Sequence, residues 1–214
     1  MNFQAVIFDM DGLLMDSECV GLDVMRQCGL LQGYDIPVEQ VRHTIGSNKQ
    51  SSSDYYHQFF PDLDTDRLFV DFKNAMCDLA KAGKIPLKKG ARELLDALKQ
   101  KKIPMAVASS SGQSTIVIYL ESVGVIAYFD ALITGSGLPS KPAPDVFLKA
   151  AKAMNAAPEN CLVLEDSIHG VQAGRKAGMT VCMVPDMIPF TEDLKPYCDF
   201  VLPDLSAVIP LLDA

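Results

Sequence analysis

Short, almost entirely apolar runs recur along this chain, and stretches with helical spacing separate most of them. A continuous apolar run suits a strand that is buried on both faces, and a parallel sheet covered by helices buries its strands in this way. The alternation therefore predicts an α/β fold with a doubly wound parallel sheet. The predicted strands are AVIFD (5–9), MAVASS (105–110), ALITG (131–135), CLVLED (161–166), VCMVP (181–185) and FVLPD (200–204).

The stretches between these runs carry the spacing of amphipathic helices. In residues 91–102, for example, Leu94, Leu95 and Leu98 fall on one helical face. Such a face covers a sheet well, so each stretch predicts a helix packed on the strands. The other predicted core helices are 114–124, 145–155 and 167–178.

Residues 16–84 interrupt this alternation, because they are polar, aromatic and helix-like and contain no clear core strand. They predict a helical cap domain that is inserted between the first strand and the first core helix. The α/β catalytic core then comprises residues 1–15 and 85–214, with flexible joints near 15–17 and 83–86. A single domain with extra surface helices is the alternative.

Composition limits the possible partners of the chain. Its 214 residues are 49% hydrophobic, which is enough for a sizeable core, and its formal net charge is -8. An acidic chain repels phosphates overall, so we expect no binding of nucleic acid or of a membrane surface. A small anionic substrate stays possible where local cations outweigh the overall charge. The sequence gives no oligomeric state.

The expected compartment is the cytoplasm. No apolar run reaches the length of a membrane span, and the start MNFQAVIFDMD lacks the basic residues and cleavage site of a signal peptide. The six cysteines are scattered without a CxxC pair, which favours buried free thiols in a reducing compartment over disulfides or a metal site.

Charged and hydroxyl-bearing side chains lie at the ends of four predicted strands or just beyond them. In an open parallel sheet, ligands bind beyond the carboxyl ends of the strands, where the direction of winding reverses. We therefore expect these side chains to meet at one edge of the sheet. They are Asp9 and Asp11 after the first strand, Ser109, Ser110 and Ser111 after the second, Lys141 after the third, and Glu165 and Asp166 after the fourth.

This set of residue types suits the transfer of a phosphoryl group. Carboxylates alone would repel a phosphate, and Mg²⁺ is a hard cation that binds one or two carboxylates together with phosphate oxygens and water. Asp9 and Asp166 are the expected ligands, with Glu165 close to the metal or its waters. One aspartate would attack phosphorus to form an aspartyl-phosphate, and a second acid would protonate the leaving oxygen. Asp9 and Asp11 suit these roles, because residues i and i+2 of a strand face the same side.

The neighbouring residues suit the phosphate itself. Ser109 can donate its hydroxyl to a phosphate oxygen. Lys141 precedes Pro142, which disfavours helical geometry and would leave the ammonium free at the mouth of the next helix. Gly12 lets the chain turn sharply after the two acids.

Four motifs follow one another in the chain: DMDG, the strand-end Ser109, KPAPD and LEDS. The first and last of them stand in the longer phrases FDMDGLLMDSE and VLEDSIHGVQAGRKAGM, and the resemblance that they carry extends over the whole chain. On these motifs the chain resembles the haloacid dehalogenase (HAD) superfamily of phosphohydrolases. Within that superfamily it resembles the branch with a helical cap after the first strand, which includes sugar phosphatases and beta-phosphoglucomutases.

The resemblance implies a role for each motif residue. Asp9 would be the nucleophile and a Mg²⁺ ligand, and Asp11 would be the general acid/base whose backbone carbonyl also binds the metal. The remaining roles are phosphate binding by Ser109 and Lys141, with Ser110 beside them, and metal binding by Asp166 with assistance from Glu165.

The cap distinguishes a phosphatase from a mutase. A mutase must hold a second phosphate while the sugar turns over, and each missing cation weakens that hold. By resemblance, mutases carry His, Lys, Arg and Lys where this chain has Gly21, Ile45, Lys49 and Gly112. We therefore expect a phosphatase of a small phosphorylated metabolite, a sugar or polyol phosphate. The candidate cap contacts to the substrate are Arg42, Asn48 and Lys49.

Two other functions stay open. One is a phosphosugar isomerase of the beta-phosphoglucomutase type, which shares all four motifs. The other is a non-catalytic module that resembles a phospho-receiver domain, phosphorylated on a strand-end aspartate. Asp11 and the cap argue against the module, because a receiver needs neither a leaving-group acid nor a lid.

Other polar residues have structural interpretations. Ser17 and Glu18 are expected to begin or cap the first cap helix. The histidines His43, His57 and His169 lack the spacing of a zinc site and are expected at the surface or in helix packing.

Overall fold

A parallel sheet forms the centre of the molecule. The computed structural model describes residues 3–213, and within that range the sheet has 6 strands in the order β3-β2-β1-β4-β5-β6. Every pairing is parallel. The strands are β1 (Ala5–Phe8), β2 (Met105–Ser109), β3 (Ala131–Thr134), β4 (Cys161–Glu165), β5 (Thr180–Met183) and β6 (Phe200–Val201). The predicted fold class is confirmed.

Helices cover both faces of this sheet. The α-helices are α1 (Ser17–Leu30), α2 (Val38–His43), α3 (Lys49–His57), α4 (Thr65–Lys81), α5 (Ala91–Gln100), α6 (Gln113–Ser122), α7 (Asp145–Ala153) and α8 (Ile168–Lys176). Short 3₁₀ helices complete the connections at Ile126–Tyr128, Pro158–Asn160, Glu192–Tyr197 and Leu205–Asp213. Each predicted core helix therefore has a counterpart close to its predicted bounds.

The alternation of side chains along β1 explains the two layers of helices. Val6 and Phe8 belong to an apolar cluster that includes side chains of α5 and α6. Ala5 and Ile7 point to the opposite face and belong to a cluster that includes side chains of α7 and α8. All four residues are fully buried, as expected for a central strand without a solvent-exposed face.

The last strand is shorter than its apolar run predicts. The run extends over 200–204, but β6 ends at Val201. Pro203 lacks the N–H group that a sheet ladder requires, so pairing stops before it.

Helices α1 to α4 all lie between β1 and α5, where the sequence predicts the cap. The segment that leaves the core and the segment that returns to it run side by side. The N–H of Asp16 in the first donates to the carbonyl of Pro86 in the second at 2.9 Å. The N–H of Lys88 likewise donates to the carbonyl of Leu14 at 3.0 Å. The division into a cap of 16–84 and a core stays a prediction.

Two further features bear on the expected compartment. Along residues 3–213, no helix is both long enough and apolar enough to cross a bilayer. The cysteines are free thiols, and Cys28, Cys77, Cys161 and Cys182 are buried.

Candidate active site

The carboxyl ends of β1 and β4 meet where the strand order reverses. β2 and β3 extend to one side of β1, while β4, β5 and β6 extend to the other. Asp9 follows β1 and Asp166 follows β4, so both carboxylates stand at the position where open parallel sheets bind ligands. A cavity of about 730 Å³ opens there, and its lining includes Asp9, Asp11, Ser109, Ser110, Lys141 and Asp166. We call it the polar cavity.

Lys141 joins two acids at the bottom of this cavity. Its ammonium lies 2.5 Å from Asp9 Oδ1 and 2.7 Å from Glu165 Oε1, and its side chain is only 8% exposed. Burial alone would lower the pKa of Lys141, but the ion pairs with Asp9 and Glu165 raise it above its usual value. Lys141 is therefore a permanent cation in the site. It lies in the loop that precedes α7, whereas the sequence placed it at the mouth of the helix.

Asp11 accepts hydrogen bonds from hydroxyl groups in two distant segments of the chain. Ser17, the first residue of α1, donates to Oδ1 at 2.9 Å, and Ser111 donates to Oδ2 at 2.9 Å. Ser109 lies farther away, at 3.5 Å from Oδ2. Burial raises the pKa of Asp11, and the hydrogen bonds from Ser17 and Ser111 partly offset this rise. The carboxyl group of Asp11 is thus held in place while its proton is retained to a higher pH.

Glu165 is engaged on both oxygens by protein donors. Oε1 accepts from Lys141, and Oε2 accepts from the N–H groups of Asp166 and Ser167 and from the Ser167 hydroxyl, at 2.9, 2.9 and 3.0 Å. A Cβ atom at Gly170 would lie 1.8 Å from this carboxylate, so only glycine fits there. These contacts favour Glu165 as the group that positions Lys141, and its assistance to a metal stays a prediction.

The other acids of the site lie close to one another, and burial together with the neighbouring negative charges raises their pKa values. Burial and the nearby Glu165 and Asp11 raise the pKa of Asp9 to about 7, although Lys141 opposes the rise. Burial, Glu165 and Asp9 likewise raise the pKa of Asp166 well above its usual value. Burial, Asp186 and the site acids raise the pKa of Glu18 to about 8. The site therefore holds more negative charge than Lys141 can neutralise.

The donor set fits a hard divalent cation. Among residues 3–213, no three His, Cys, Asp or Glu side chains are grouped so that they could hold a metal ion by themselves. Mg²⁺ rarely has such an all-protein cage, because it keeps waters and phosphate oxygens beside one or two carboxylates. Glu18 Oε2 is buried without a hydrogen-bond partner, and an added cation would relieve the repulsion between Asp9 and Asp166.

Gly12 turns the chain between these acids, as the sequence predicts. Its φ angle is +84°, which an L side chain rarely adopts, and a Cβ atom there would lie 2.4 Å from Asp166 Oδ2. The turn thereby brings the backbone after Asp11 against the Asp166 carboxylate.

The candidate cap contacts differ in position. Asn48 and Lys49 line the polar cavity, but the Lys49 ammonium lies 2.6 Å from Asp66 and the Asn48 side chain caps α3. Arg42 is exposed and belongs to the lining of neither the polar cavity nor the apolar cavity that adjoins it. Its role as a substrate contact stays a prediction without support from this arrangement.

Sequence reasoning missed the contacts made by Ser17, Glu18 and His169. Ser17 and Glu18 begin α1 as expected, but their side chains face the site. His169 lines the polar cavity, and its Nδ1 lies 3.1 Å from the carbonyl oxygen of Gly46. The available signal was the polar run DSE that follows DMDGLLM, since Ser17 lies in the predicted joint and Glu18 directly follows it.

An apolar cavity of about 370 Å³ adjoins the polar one. It lies between α1, the α2 region, α4 and α6. Its apolar lining consists of Leu22, Met25, Val41, Ile45, Phe72, Met76 and Tyr119.

Comparison with known proteins gives consistent results. The family model described as haloacid dehalogenase-like hydrolase matches residues 6–184. A phosphorylated carbohydrates phosphatase from Thermotoga maritima is 29% identical over 182 residues, which are 82% of each chain. The structure of CbbY from Rhodobacter sphaeroides in complex with phosphate has a TM-score of 0.85, with 21% identity, 99% coverage of this chain and 100% of the other. A beta-phosphoglucomutase from Clostridium difficile has a TM-score of 0.79, with 23% identity and coverage of 96% and 93%. At these identities the two structures show the fold.

Proposed function

The chain belongs to the haloacid dehalogenase-like hydrolase family and is a phosphoric monoester hydrolase, and on this basis we propose that it is a Mg²⁺-dependent phosphatase of a phosphorylated sugar or polyol. The observation that supports this most directly is the convergence of Asp9, Asp11, Lys141 and Asp166 on one cavity. The phosphatase of phosphorylated carbohydrates among its relatives indicates the class of substrate.

Asp9 and Asp11 carry the chemistry in this proposal. A carboxylate oxygen of Asp9 attacks phosphorus, and the bond between phosphorus and the alcohol oxygen breaks as the aspartyl-phosphate forms. Asp11 gives its proton to the departing alcohol. It then takes a proton from a water molecule whose oxygen attacks phosphorus, which releases phosphate and restores Asp9.

The surrounding side chains hold the phosphate and balance charge. Lys141, Ser109 and Ser110 would contact the phosphate oxygens, and Glu165 would keep Lys141 in place. Asp9, Asp166 and the backbone carbonyl of Asp11 would hold Mg²⁺, with Glu165 assisting. When bound, Mg²⁺ neutralises the charge on the transferring phosphoryl group.

The positions that distinguish mutases support hydrolysis. Gly21, Ile45 and Gly112 occupy places where the resemblance gives mutases cations, and all three line the apolar cavity. The Lys49 ammonium pairs with Asp66. Lys73 on α4 is a cation in the lining of the apolar cavity, and one lysine offers less charge for a second phosphate than the several cations that the resemblance gives mutases.

Release of phosphate with and without the nucleophile tests the proposal. We expect the chain with Mg²⁺ to release phosphate from a panel of sugar and polyol phosphates, and Asp9→Asn to lose this activity. Asp23→Asn, at an exposed position on α1, is the matched control and should keep it. Formation of glucose 6-phosphate from beta-glucose 1-phosphate would instead indicate the isomerase, and an inactive parent chain would favour the receiver-like module.

Compartment and partners belong to the same proposal. Free thiols, four of them buried, support a reducing compartment, and we place the protein in the cytoplasm with a small phosphate ester as its partner.

A further inference from the structure

The last residue of β3 contacts the serine-rich turn beside the proposed acid/base. Thr134 is paired with Ser109 in the register of β3 and β2. Its hydroxyl donates to the carbonyl oxygen of Ser111 at 2.8 Å and accepts from the N–H of Ser136 at 3.1 Å. Because the hydroxyl is engaged both as donor and as acceptor, its direction is fixed, and so is the position of the Ser111 carbonyl group.

Backbone contacts bring the same two segments close together. The N–H of Gly135 donates to the carbonyl oxygen of Ser109 at 2.8 Å. A Cβ atom at Gly135 would lie 3.3 Å from that oxygen and 3.3 Å from the Cα atom of Ser110. Within the turn, the N–H of Ser111 donates to the Ser109 hydroxyl oxygen at 3.0 Å. The position of residues 109–111 therefore depends on the end of β3.

Ser111 in turn orients the carboxyl group of Asp11. The Ser111 hydroxyl donates to Oδ2 at 2.9 Å, and Ser17 donates to the other oxygen, Oδ1. Two donors on different oxygens fix the plane of the carboxyl group, whereas one donor leaves the group free to turn about a single hydrogen bond. A general acid must lie within hydrogen-bond reach of the oxygen that it protonates, so a small displacement of Asp11 slows the reaction.

We infer that Thr134 is a positioning residue for the proposed reaction and that it fixes Asp11 through Ser111. Thr134 belongs to the lining of neither the polar nor the apolar cavity, so it acts on the reacting atoms through these hydrogen bonds. The inference rests on the proposed phosphatase function and adds a residue from outside its site. In the step concerned, Asp9 bonds to phosphorus, the bond from phosphorus to the alcohol oxygen breaks, and Asp11 gives its proton to that oxygen.

The choice of leaving group distinguishes this role from a purely structural one. p-Nitrophenolate leaves without a proton, because the nitro group spreads its negative charge, while phenolate and the alkoxide of a sugar need a proton from a general acid. Thr134→Val replaces the hydroxyl by a methyl group and keeps the β-branched shape that suits a strand. We expect this variant of the full chain with Mg²⁺ to lose about tenfold or more in kcat/KM for phenyl phosphate and for the best sugar or polyol phosphate. The loss for p-nitrophenyl phosphate should be about twofold.

Three further variants serve as controls. Thr134→Ser keeps the hydroxyl and should keep kcat/KM for each ester within about twofold of the parent chain. Thr180→Val makes the same substitution at the first residue of β5, away from the carboxyl ends of the strands, and should also stay within about twofold. If Thr134 acts through Ser111, adding Thr134→Val to Ser111→Ala should change the ratio of kcat/KM between the two aryl esters by less than about twofold. Thermal unfolding checks that each variant is folded.

The outcomes separate this inference from the proposed function. Equal effects of Thr134→Val on all the esters, or a loss in Thr134→Ser as large as in Thr134→Val, would overturn the positioning role and leave the phosphatase intact. So would a loss of less than about twofold for the sugar or polyol phosphate. A further large change of the ratio in the double variant would overturn the route through Ser111. Absence of phosphate release from every ester by the parent chain would overturn the phosphatase, and the inference with it.

Discussion

At the scale of single residues, Asp11 depends on donors that are far apart in the chain. Ser17 and Ser111 donate hydrogen bonds to its two carboxylate oxygens at 2.9 Å each. Burial raises the pKa of Asp11, so the group keeps its proton to a higher pH. A general acid needs both a fixed direction and a retained proton, so the arrangement suits the proposed role. Lys141, in contrast, is a cation that stays charged, because Asp9 and Glu165 raise its pKa.

Gly12 gives a test of how tightly the acids are packed. In Gly12→Ala the methyl group would meet Asp166 Oδ2 at 2.4 Å, and φ would stay at +84°. Gly178→Ala is the matched control, because φ there is +74° with open space around the added atom. We expect the control to lower the free energy of unfolding by about 1 kcal/mol, from backbone strain alone.

Gly12→Ala should lower the free energy of unfolding by about twice that amount or more, since the clash adds to the strain. It should also reduce kcat about tenfold or more by displacing Asp166, whereas Gly178→Ala keeps kcat within about twofold. Denaturant unfolding and phosphate release measure the two effects. Equal losses in both variants would show that Asp166 has room to move.

The individual residues also show which parts of the site could be predicted from the sequence. Asp9, Asp11 and Asp166 were identifiable because each ends or closely follows a strand-like run, and the sheet brings strand ends together. Lys141 was identifiable because it precedes a proline in the motif KPAPD. Ser17 and Glu18 were placed only at a helix start, because their contacts depend on how α1 closes over the strand ends. The cavity lining was not predictable, since Leu22, Val41 and Phe72 each have the pattern of an ordinary buried helix residue.

At the scale of elements, the start of α8 supports the site from below. Ser167 caps this helix by accepting from the N–H of Gly170 at 3.1 Å, and its hydroxyl also donates to Glu165 at 3.0 Å. Glu165 in turn holds Lys141. The helix start thereby links a structural cap to the position of the cation.

Removing this cap separates the structural contribution from the functional one. Ser167→Ala and Asp64→Ala each remove an N-cap, since Asp64 caps α4 by accepting from the N–H of Arg67 at 3.0 Å. We expect each to lower the free energy of unfolding by about 1 kcal/mol. Only Ser167→Ala should raise the Mg²⁺ concentration for half-maximal activity, about tenfold, because it loosens Glu165. An equal response of both variants would mean that Glu165 is positioned without Ser167.

At the scale of the whole molecule, negative charge is concentrated at one edge of the sheet. The net charge is -8, and Asp9, Asp11, Glu18, Glu165 and Asp166 cluster around Lys141. Like charges at close range oppose folding unless protons or a cation neutralise them. The fold therefore brings mutually repelling carboxylates together at the position where the proposed reaction needs a metal.

The sign of the resulting pH dependence follows from the raised pKa values. The pKa of Asp9 rises from 3.8 to about 7 and that of Glu18 from 4.5 to about 8, so the folded chain binds more protons than the unfolded chain between these values. The free energy of unfolding of the metal-free chain should therefore fall as pH rises from about 4 to about 8 through these groups. We expect Tm in a chelator to be about 3 °C or more lower at pH 8.5 than at pH 6.

Mg²⁺ should raise Tm more at pH 8.5 than at pH 6. Glu18→Gln should reduce the pH dependence of Tm, while the exposed control Glu39→Gln should leave it unchanged. A metal-free Tm that stays constant or rises over this interval would contradict the raised pKa values, and with them the charge balance on which the metal site depends.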